Sequence, residues 1–195
     1  MLGAPGSGKG THARLLAEHF SVPHLSTGAM LRREIAAGTA LGSEVAGAVE
    51  AGELVDDAVI ADLVGRAVTS SDARRGWILD GAPRSVAQAE LIAPCLESSG
   101  AGPVIAVLLD VPEPELRRRL TERAARERRA DDAPEVVARR FDVWAVTGPP
   151  LIDWFVRRTI LHRVDGTGSV DDVARRLIDE VERVVGPPTD AFRRD

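Results

Sequence analysis

The chain has 195 residues, of which 44% are hydrophobic and 28% charged, a balance typical of one soluble globular domain. Its formal net charge of −5 gives no reason to expect nucleic acid or an acidic membrane surface as a partner. The longest apolar runs are far shorter than the roughly 20 residues of a membrane span. A single cysteine, Cys95, excludes an internal disulfide, and early glycines interrupt any apolar signal segment, so we expect a cytoplasmic protein.

Helical spacing of apolar residues alternates along the chain with short continuous apolar runs. The spacing predicts helices over residues 11–20, 30–37, 41–51, 59–68, 113–129, 135–145 and 170–185. The short runs at 77–79, 104–109 and 161–164 predict buried parallel strands. Because strands alternate with helices, the sequence predicts a three-layer α/β fold with a parallel central sheet, in one domain over residues 1–195. Two prolines begin a polar tail, 187–195, that we expect to be loose.

The glycine-rich opening of the chain carries the most specific chemical pattern. Gly3-Ala4-Pro5-Gly6-Ser7-Gly8-Lys9-Gly10-Thr11 fits G-x-x-x-x-G-K followed by a small residue and a hydroxyl. Glycines let the backbone N–H groups converge on phosphate oxygens, and the following helix directs the positive end of its dipole there. Lys9, the only lysine of the chain, reaches the β- and γ-phosphates as a compact charge. This segment predicts a nucleotide phosphate site.

Only Met1 and Leu2 precede this loop, which normally follows a buried central strand. Losing about four buried apolar residues, at roughly 1.5–3 kcal/mol each, would rival a typical total stability of about 5–15 kcal/mol. We therefore expect a truncated first strand in this sequence, and a natural chain that starts a few residues upstream.

Further segments, in the same order along the chain, resemble the nucleoside-monophosphate kinases. These are L-S-T-G-A-M-L-R at 25–32, G-E-L-V at 52–55, L-D-G-A-P-R-S at 79–85 with Gln88 beyond, and V-D-G-T-G at 164–168. R-A-D-D at 129–132, with Arg140 eleven residues after Arg129, is similar to the short-lid adenylate kinases. The resemblance covers residues 3 to about 185. It implies a phosphate-loop fold with a helical acceptor-binding insert at about 26–55, a short lid at about 119–133, and a monomer.

The resemblance also implies an activity and a set of site residues. The reaction is transfer of the γ-phosphoryl group of MgATP to AMP, giving two ADP. The catalytic residues are Lys9, Asp80, Arg84, Arg119, Arg123, Arg129 and Arg140. The ATP-binding residues are Gly6, Ser7, Gly8, Lys9, Gly10, Thr11, Arg119, Arg123 and Gly168. The AMP-binding residues are Thr27, Arg32, Glu53, Leu54, Val55, Gly81, Ala82, Pro83, Arg84, Gln88, Arg129 and Arg140.

The metal expected is Mg²⁺, which enters with ATP near Thr11 and Asp80 without a direct protein ligand. No zinc is expected, because the lid has no cysteine cluster. Pro83 is expected to be cis. Asp56 and Asp57 are interpreted as the start of a helix rather than as a metal pair.

Four positions depart from the family pattern. Ala82 stands where an aromatic ring usually faces the acceptor base, Ala29 replaces an acidic residue, His12 replaces a glutamine, and Glu122 stands at a common hinge glycine. Losing the ring would weaken AMP binding by about 1–3 kcal/mol or admit another base. Two alternatives therefore stay open: a kinase of another nucleoside monophosphate, and a nucleotide-binding paralogue with little turnover.

Overall fold

A computed structural model describes residues 1–127 and 133–188, and within them helices alternate with short strands as the sequence predicts. The helices are α1 Lys9–Phe20, α2 Thr27–Ala36, α3 Ala40–Ala51, α4 Asp57–Val68, α5 Val86–Ser98, α6 Glu113–Glu127, α7 Pro134–Arg157 and α8 Val170–Val185. The strands are β1 His24–Ser26, β2 Ile78–Asp80, β3 Ala106–Asp110 and β4 Leu161–Asp165. Within the described ranges, no helix has both the length and the apolar character needed to cross a membrane.

All strand pairing is parallel. β1 pairs with β2, and β3 pairs with β4. The two residues before the glycine-rich loop lie between these pairs: Met1 N donates to Leu79 O at 2.7 Å, and Leu2 forms a parallel bridge with Leu108. The predicted short first strand is present as this single bridge. It gives the spatial order β1, β2, Leu2, β3, β4.

The side chains of β3 alternate between two apolar clusters. Val107 and Leu109 pack with residues of α1 and α8, including Leu177. Ala106 and Leu108 pack with residues of α5 and α7 on the opposite face. Because successive strand residues point to opposite faces, this alternation fixes a three-layer sandwich, and it confirms the prediction of a sheet covered on both sides.

The segment predicted as the acceptor-binding insert contains α2 and α3, which pack on a third apolar cluster shared with α4 and α5. Gly52 ends α3 in the left-handed conformation, at φ +72°, as its position in the sequence suggests. Asp56 Oδ1 accepts from Ala58 N at 2.9 Å, so Asp56 caps α4 as expected. The predicted lid falls on the second half of α6 and ends at Ala133, just before α7. Its residues 128–132 lie outside the described ranges, as does the tail from residue 189.

Three elements differ from the sequence prediction. Strand β1, at three residues, and helix α5, which contains Pro94, carry too little periodicity to be predicted. Helix α7 continues to Arg157 although the sequence predicts an end at residue 145, before Pro149 and Pro150. Each of these two prolines inside the helix costs about 3 kcal/mol. Burying the three large side chains Leu151, Trp154 and Phe155 against the sheet, at about 1.5–3 kcal/mol each, offsets that cost.

Candidate active site

The glycine-rich loop leads directly into α1, whose N-terminus has no side-chain cap. The first N–H groups of an uncapped helix have no intrahelical acceptor and attract an anion. Gly6, at φ +85°, lets the loop lie against α6, because a Cβ there would be 2.7 Å from Leu116 O. The loop therefore has the backbone geometry of a phosphate site.

Lys9 folds back over this loop. Its Nζ donates to Gly3 O at 2.7 Å and to Ala4 O at 2.9 Å. Burial lowers the pKa of Lys9 to about 7; Asp80 opposes this shift, and Arg84, Arg140 and Arg123 add to it. Three arginines thus lie near enough to Lys9 for their positive charge to lower its pKa.

Asp80 ends β2 beside the start of α1. Its Oδ2 lies 3.3 Å from where a Cβ on Gly10 would be, and 3.7 Å from His24 Nε2, beyond hydrogen-bond distance. Burial raises the pKa of Asp80, but His24, Lys9 and the Met1 ammonium outweigh burial and hold the pKa below its usual value. An ionised carboxylate next to the Thr11 helix turn is a donor set that fits hydrated Mg²⁺.

A cleft of about 850 Å³ runs along this side of the sheet and contains most of the predicted site residues. Arg84 Nε donates to Gly81 O at 2.8 Å. Arg119 Nε donates to Glu115 at 2.8 Å, and its Nη2 to Gly166 O at 3.0 Å. The predicted residues that line the cleft are Gly6, Gly8, Lys9, Gly10, Thr11, Thr27, Arg32, Glu53, Val55, Asp80, Gly81, Arg84, Gln88, Arg119, Arg123, Arg140 and Gly168.

The acceptor side of the cleft is built from the ends of β1 and β2. Gly81 has φ +90°, and a Cβ there would lie 2.5 Å from Thr27 Oγ1, so the two residues touch. Gln88 is 1% exposed and its Oε1 accepts from Arg84 N at 2.8 Å, which leaves its amide N–H groups for a ligand. The Arg32 guanidinium folds over Gly28 in the first turn of α2.

Four predicted residues do not line this cleft. Ser7 is buried within the loop beside Gly3, and Leu54 does not line the cleft. Ala82 is 3% exposed and packs in the core with Leu25 and Val55 rather than facing the cleft. Pro83 follows a cis peptide, as expected, and lines an adjoining cavity of about 70 Å³ that shares Lys9, Arg84 and Arg140 with the cleft. Arg129 lies outside the described residues.

The structure also shows where the other three departures from the family pattern, Ala29, His12 and Glu122, lie. Ala29 lines the cleft. His12 is buried against Gly8, and burial together with Arg119 lowers its pKa. Glu122 forms an ion pair with Arg118 on α6.

The cleft is also lined by residues that the sequence did not assign to the site, among them Arg118, His24 and Val170. Arg118 lines the cleft while pairing with Glu115 and Glu122. His24 lies beside Asp80, and Val170 lines the donor side with half of its surface exposed. The signal for His24 is its position one residue before the L-S-T-G segment; no pattern singles out the other two.

Known proteins resemble this chain over most of its length. The family model of adenylate kinase matches residues 1–160. An adenylate kinase of Stenotrophomonas maltophilia is 42% identical over 178 residues, which cover 91% of this chain and 95% of the relative. One from a Nocardioides species is 40% identical, covering 93% and 95%, and one from Porphyromonas gingivalis is 39% identical, covering 94% of each chain. With a phosphate loop, a converging set of cations and these relatives, the chain belongs to the adenylate kinase family.

Proposed function

We propose that this protein transfers the γ-phosphoryl group of ATP to AMP, giving two molecules of ADP. One observation carries the proposal: Lys9, Arg84, Arg123 and Arg140 converge in one cleft closely enough for each arginine to lower the pKa of Lys9. A doubled set of phosphate-binding cations suits two phosphate chains meeting end to end. Membership of the adenylate kinase family supports both substrates.

ATP would bind along the phosphate loop. The N-terminus of α1 would receive its phosphates, and Lys9 would leave the Gly3 and Ala4 carbonyls for a phosphate oxygen. Arg119 and Arg123 would neutralise the phosphate chain from the lid side, and Gly168 would contact the base.

AMP would bind on the opposite side of the cleft. Thr27, Arg32, the Glu53–Val55 backbone and Gln88 would surround the nucleoside, with Gly81 allowing close approach. Arg84 and Arg140, together with Arg129, would hold the α-phosphate and point one of its oxygens at the γ-phosphorus of ATP.

Transfer is direct. An AMP phosphate oxygen forms a bond to the γ-phosphorus, the bond from that phosphorus to the β–γ bridging oxygen breaks, and ADP leaves with the electron pair. Mg²⁺ entering with ATP would supply further neutralisation of the phosphate oxygens, and Asp80 and Thr11 would hold its hydration shell. The arginines would stabilise the charge that develops on the transferring group.

Closure of the insert and the lid would exclude water, so that the phosphoryl group reaches AMP and is not hydrolysed. The enzyme would act as a cytoplasmic monomer, with no membrane or nucleic-acid partner.

The test is ADP formation by the purified protein from MgATP and AMP, run beside GMP, CMP and UMP, with Lys9→Met as the control. Turnover with AMP that is lost in the variant would support the proposal. Turnover restricted to another monophosphate would replace it with a sister kinase. No turnover by a folded, ATP-binding protein would replace it with a nucleotide-binding paralogue.

A further inference from the structure

The end of β4 and the loop that follows it, residues 165–168, are held in one conformation by their own polar groups. Asp165 Oδ1 accepts from Thr167 N at 2.9 Å and from Thr167 Oγ1 at 2.7 Å. Gly166 N donates to Asp110 O at 2.8 Å, and a Cβ on Gly166 would meet Val111 at 2.5 Å. These contacts tie the loop to the end of β3.

Arg176, on the second turn of α8, adds a second layer of contacts. Its guanidinium donates to the carbonyls of Asp165 and Thr167, the latter at 2.5 Å, and pairs with Asp165 Oδ2 at 3.0 Å. Arg119 donates to the carbonyl between them, that of Gly166, at 3.0 Å. Two arginines therefore provide donors for three consecutive main-chain acceptors.

Gly168 is different from its three predecessors. It lines the cleft, whereas residues 165–167 do not. Within the described ranges, the structure gives its carbonyl no donor, although Arg176 Nη2 is only 3.2 Å from where a Cβ on Gly168 would be. One main-chain acceptor of the loop is thus left for a ligand.

We propose that Arg176 is a positioning residue that sets the choice of donor nucleobase; the proposal rests on the function proposed above. By holding the Asp165 and Thr167 carbonyls, Arg176 keeps them from turning toward the base and leaves the Gly168 carbonyl to receive it. A base with an exocyclic amino group, as in adenine, donates to that carbonyl. Guanine presents a carbonyl oxygen at the same position, and two acceptors then face each other without a proton between them.

The variants follow from the geometry. Arg176→Met keeps the length of the side chain and removes every donor, and Arg176→Lys returns one compact cation that can reach one carbonyl at a time. Arg175→Met is the matched control, because Arg175 is the neighbouring residue on α8, is 72% exposed and, among the described residues, pairs with Asp172 alone, at 2.6 Å. Equilibrium binding of ATP and of GTP is measured for each protein by titration calorimetry, and thermal unfolding is recorded alongside.

We expect Arg176→Met to weaken ATP binding about 5- to 20-fold and GTP binding less than about twofold, so that the preference for ATP falls. Arg176→Lys should recover part of the preference, and Arg175→Met should keep all of it. The KM for AMP should not change in any variant, because the loop lies on the donor side.

The proposal would be overturned by an unchanged ATP-to-GTP ratio in Arg176→Met. It would also be overturned by equal weakening of both nucleotides with a lower melting temperature, since that pattern reports a purely structural role. Binding requires no turnover. A wild-type protein that binds ATP but forms no ADP would therefore contradict the proposed reaction and still decide the role of Arg176.

Discussion

Gly81→Ala is the substitution whose effect the structure predicts most fully. The new Cβ would lie 2.5 Å from Thr27 Oγ1, well inside contact distance, at a residue with φ +90°. Thr27 is 1% exposed and its hydroxyl donates to Asp80 O at 3.3 Å, so it has little room to retreat. Left-handed backbone costs a non-glycine residue about 1–2 kcal/mol, and overpacking adds about 1–3 kcal/mol. The expected loss of unfolding free energy is about 2–5 kcal/mol.

Activity should fall as well, because Gly81 O accepts from Arg84 Nε at 2.8 Å. A shift of this carbonyl moves a phosphate-binding arginine, and a displacement of about 1 Å can cost on the order of 100-fold in rate. Urea unfolding and kcat/KM for AMP are the assays. Gly47→Ala is the control: it lies inside α3 with open space around its Cβ, and should gain about 0.5–1 kcal/mol. Wild-type stability and activity in Gly81→Ala would refute the described contact between Gly81 and Thr27.

Three further predictions follow. Because the pKa of Lys9 is lowered to about 7, Lys9 is largely neutral at pH 8 and charged at pH 6. Binding of MgATP should therefore take up protons at pH 8 and few at pH 6, as measured by calorimetry in buffers of different ionisation enthalpy. Lys9→Met should abolish this difference. Leu177→Ala, at a fully buried position between α8 and α1, should cost about 2–5 kcal/mol in urea unfolding, whereas Val185→Ala at the exposed end of the same helix should change stability by less than about 0.5 kcal/mol. Arg163→Ala removes an exposed ion pair with Asp110 and should lower the free energy of urea unfolding by less than about 1 kcal/mol. A larger loss would contradict an ion pair that is screened by solvent.

The sequence predicts the parts of the fold that depend on local periodicity. α8 has apolar residues at regular helical spacing, and it begins at Val170 and ends at Val185 as the spacing indicates. α7 could not be predicted in full, because its local signal, two adjacent prolines, favours an end that only tertiary packing of Leu151, Trp154 and Phe155 overrides. The short β1 could not be predicted either, because three residues are too few to show a hydrophobic periodicity. Its strand conformation depends on pairing with β2.

The residues of the candidate site, like the elements of the fold, could be predicted where they belong to a local sequence motif. Lys9, Asp80 and Arg84 sit in local motifs, and the structure brings them to one cleft. At Ala82 the motif indicates that an aromatic ring is missing, but it does not show where the alanine packs. In the structure Ala82 lies in the core beside Leu25. Arg118 and Arg176 were not singled out, because arginines on a charged helix look alike in sequence and differ only in the carbonyl or carboxylate that each one reaches.

The central claim is that one cleft holds a donor and an acceptor nucleotide at once, with their phosphates meeting near Lys9, Arg84 and Arg140. A bisubstrate ligand that joins two adenosines through five phosphates tests it most directly, by calorimetric titration of the purified protein. The account predicts one ligand per chain, bound more tightly than either ATP or AMP, competing with both and weakened in Arg140→Met. Binding no tighter than that of ATP, with AMP unable to compete, would contradict the account.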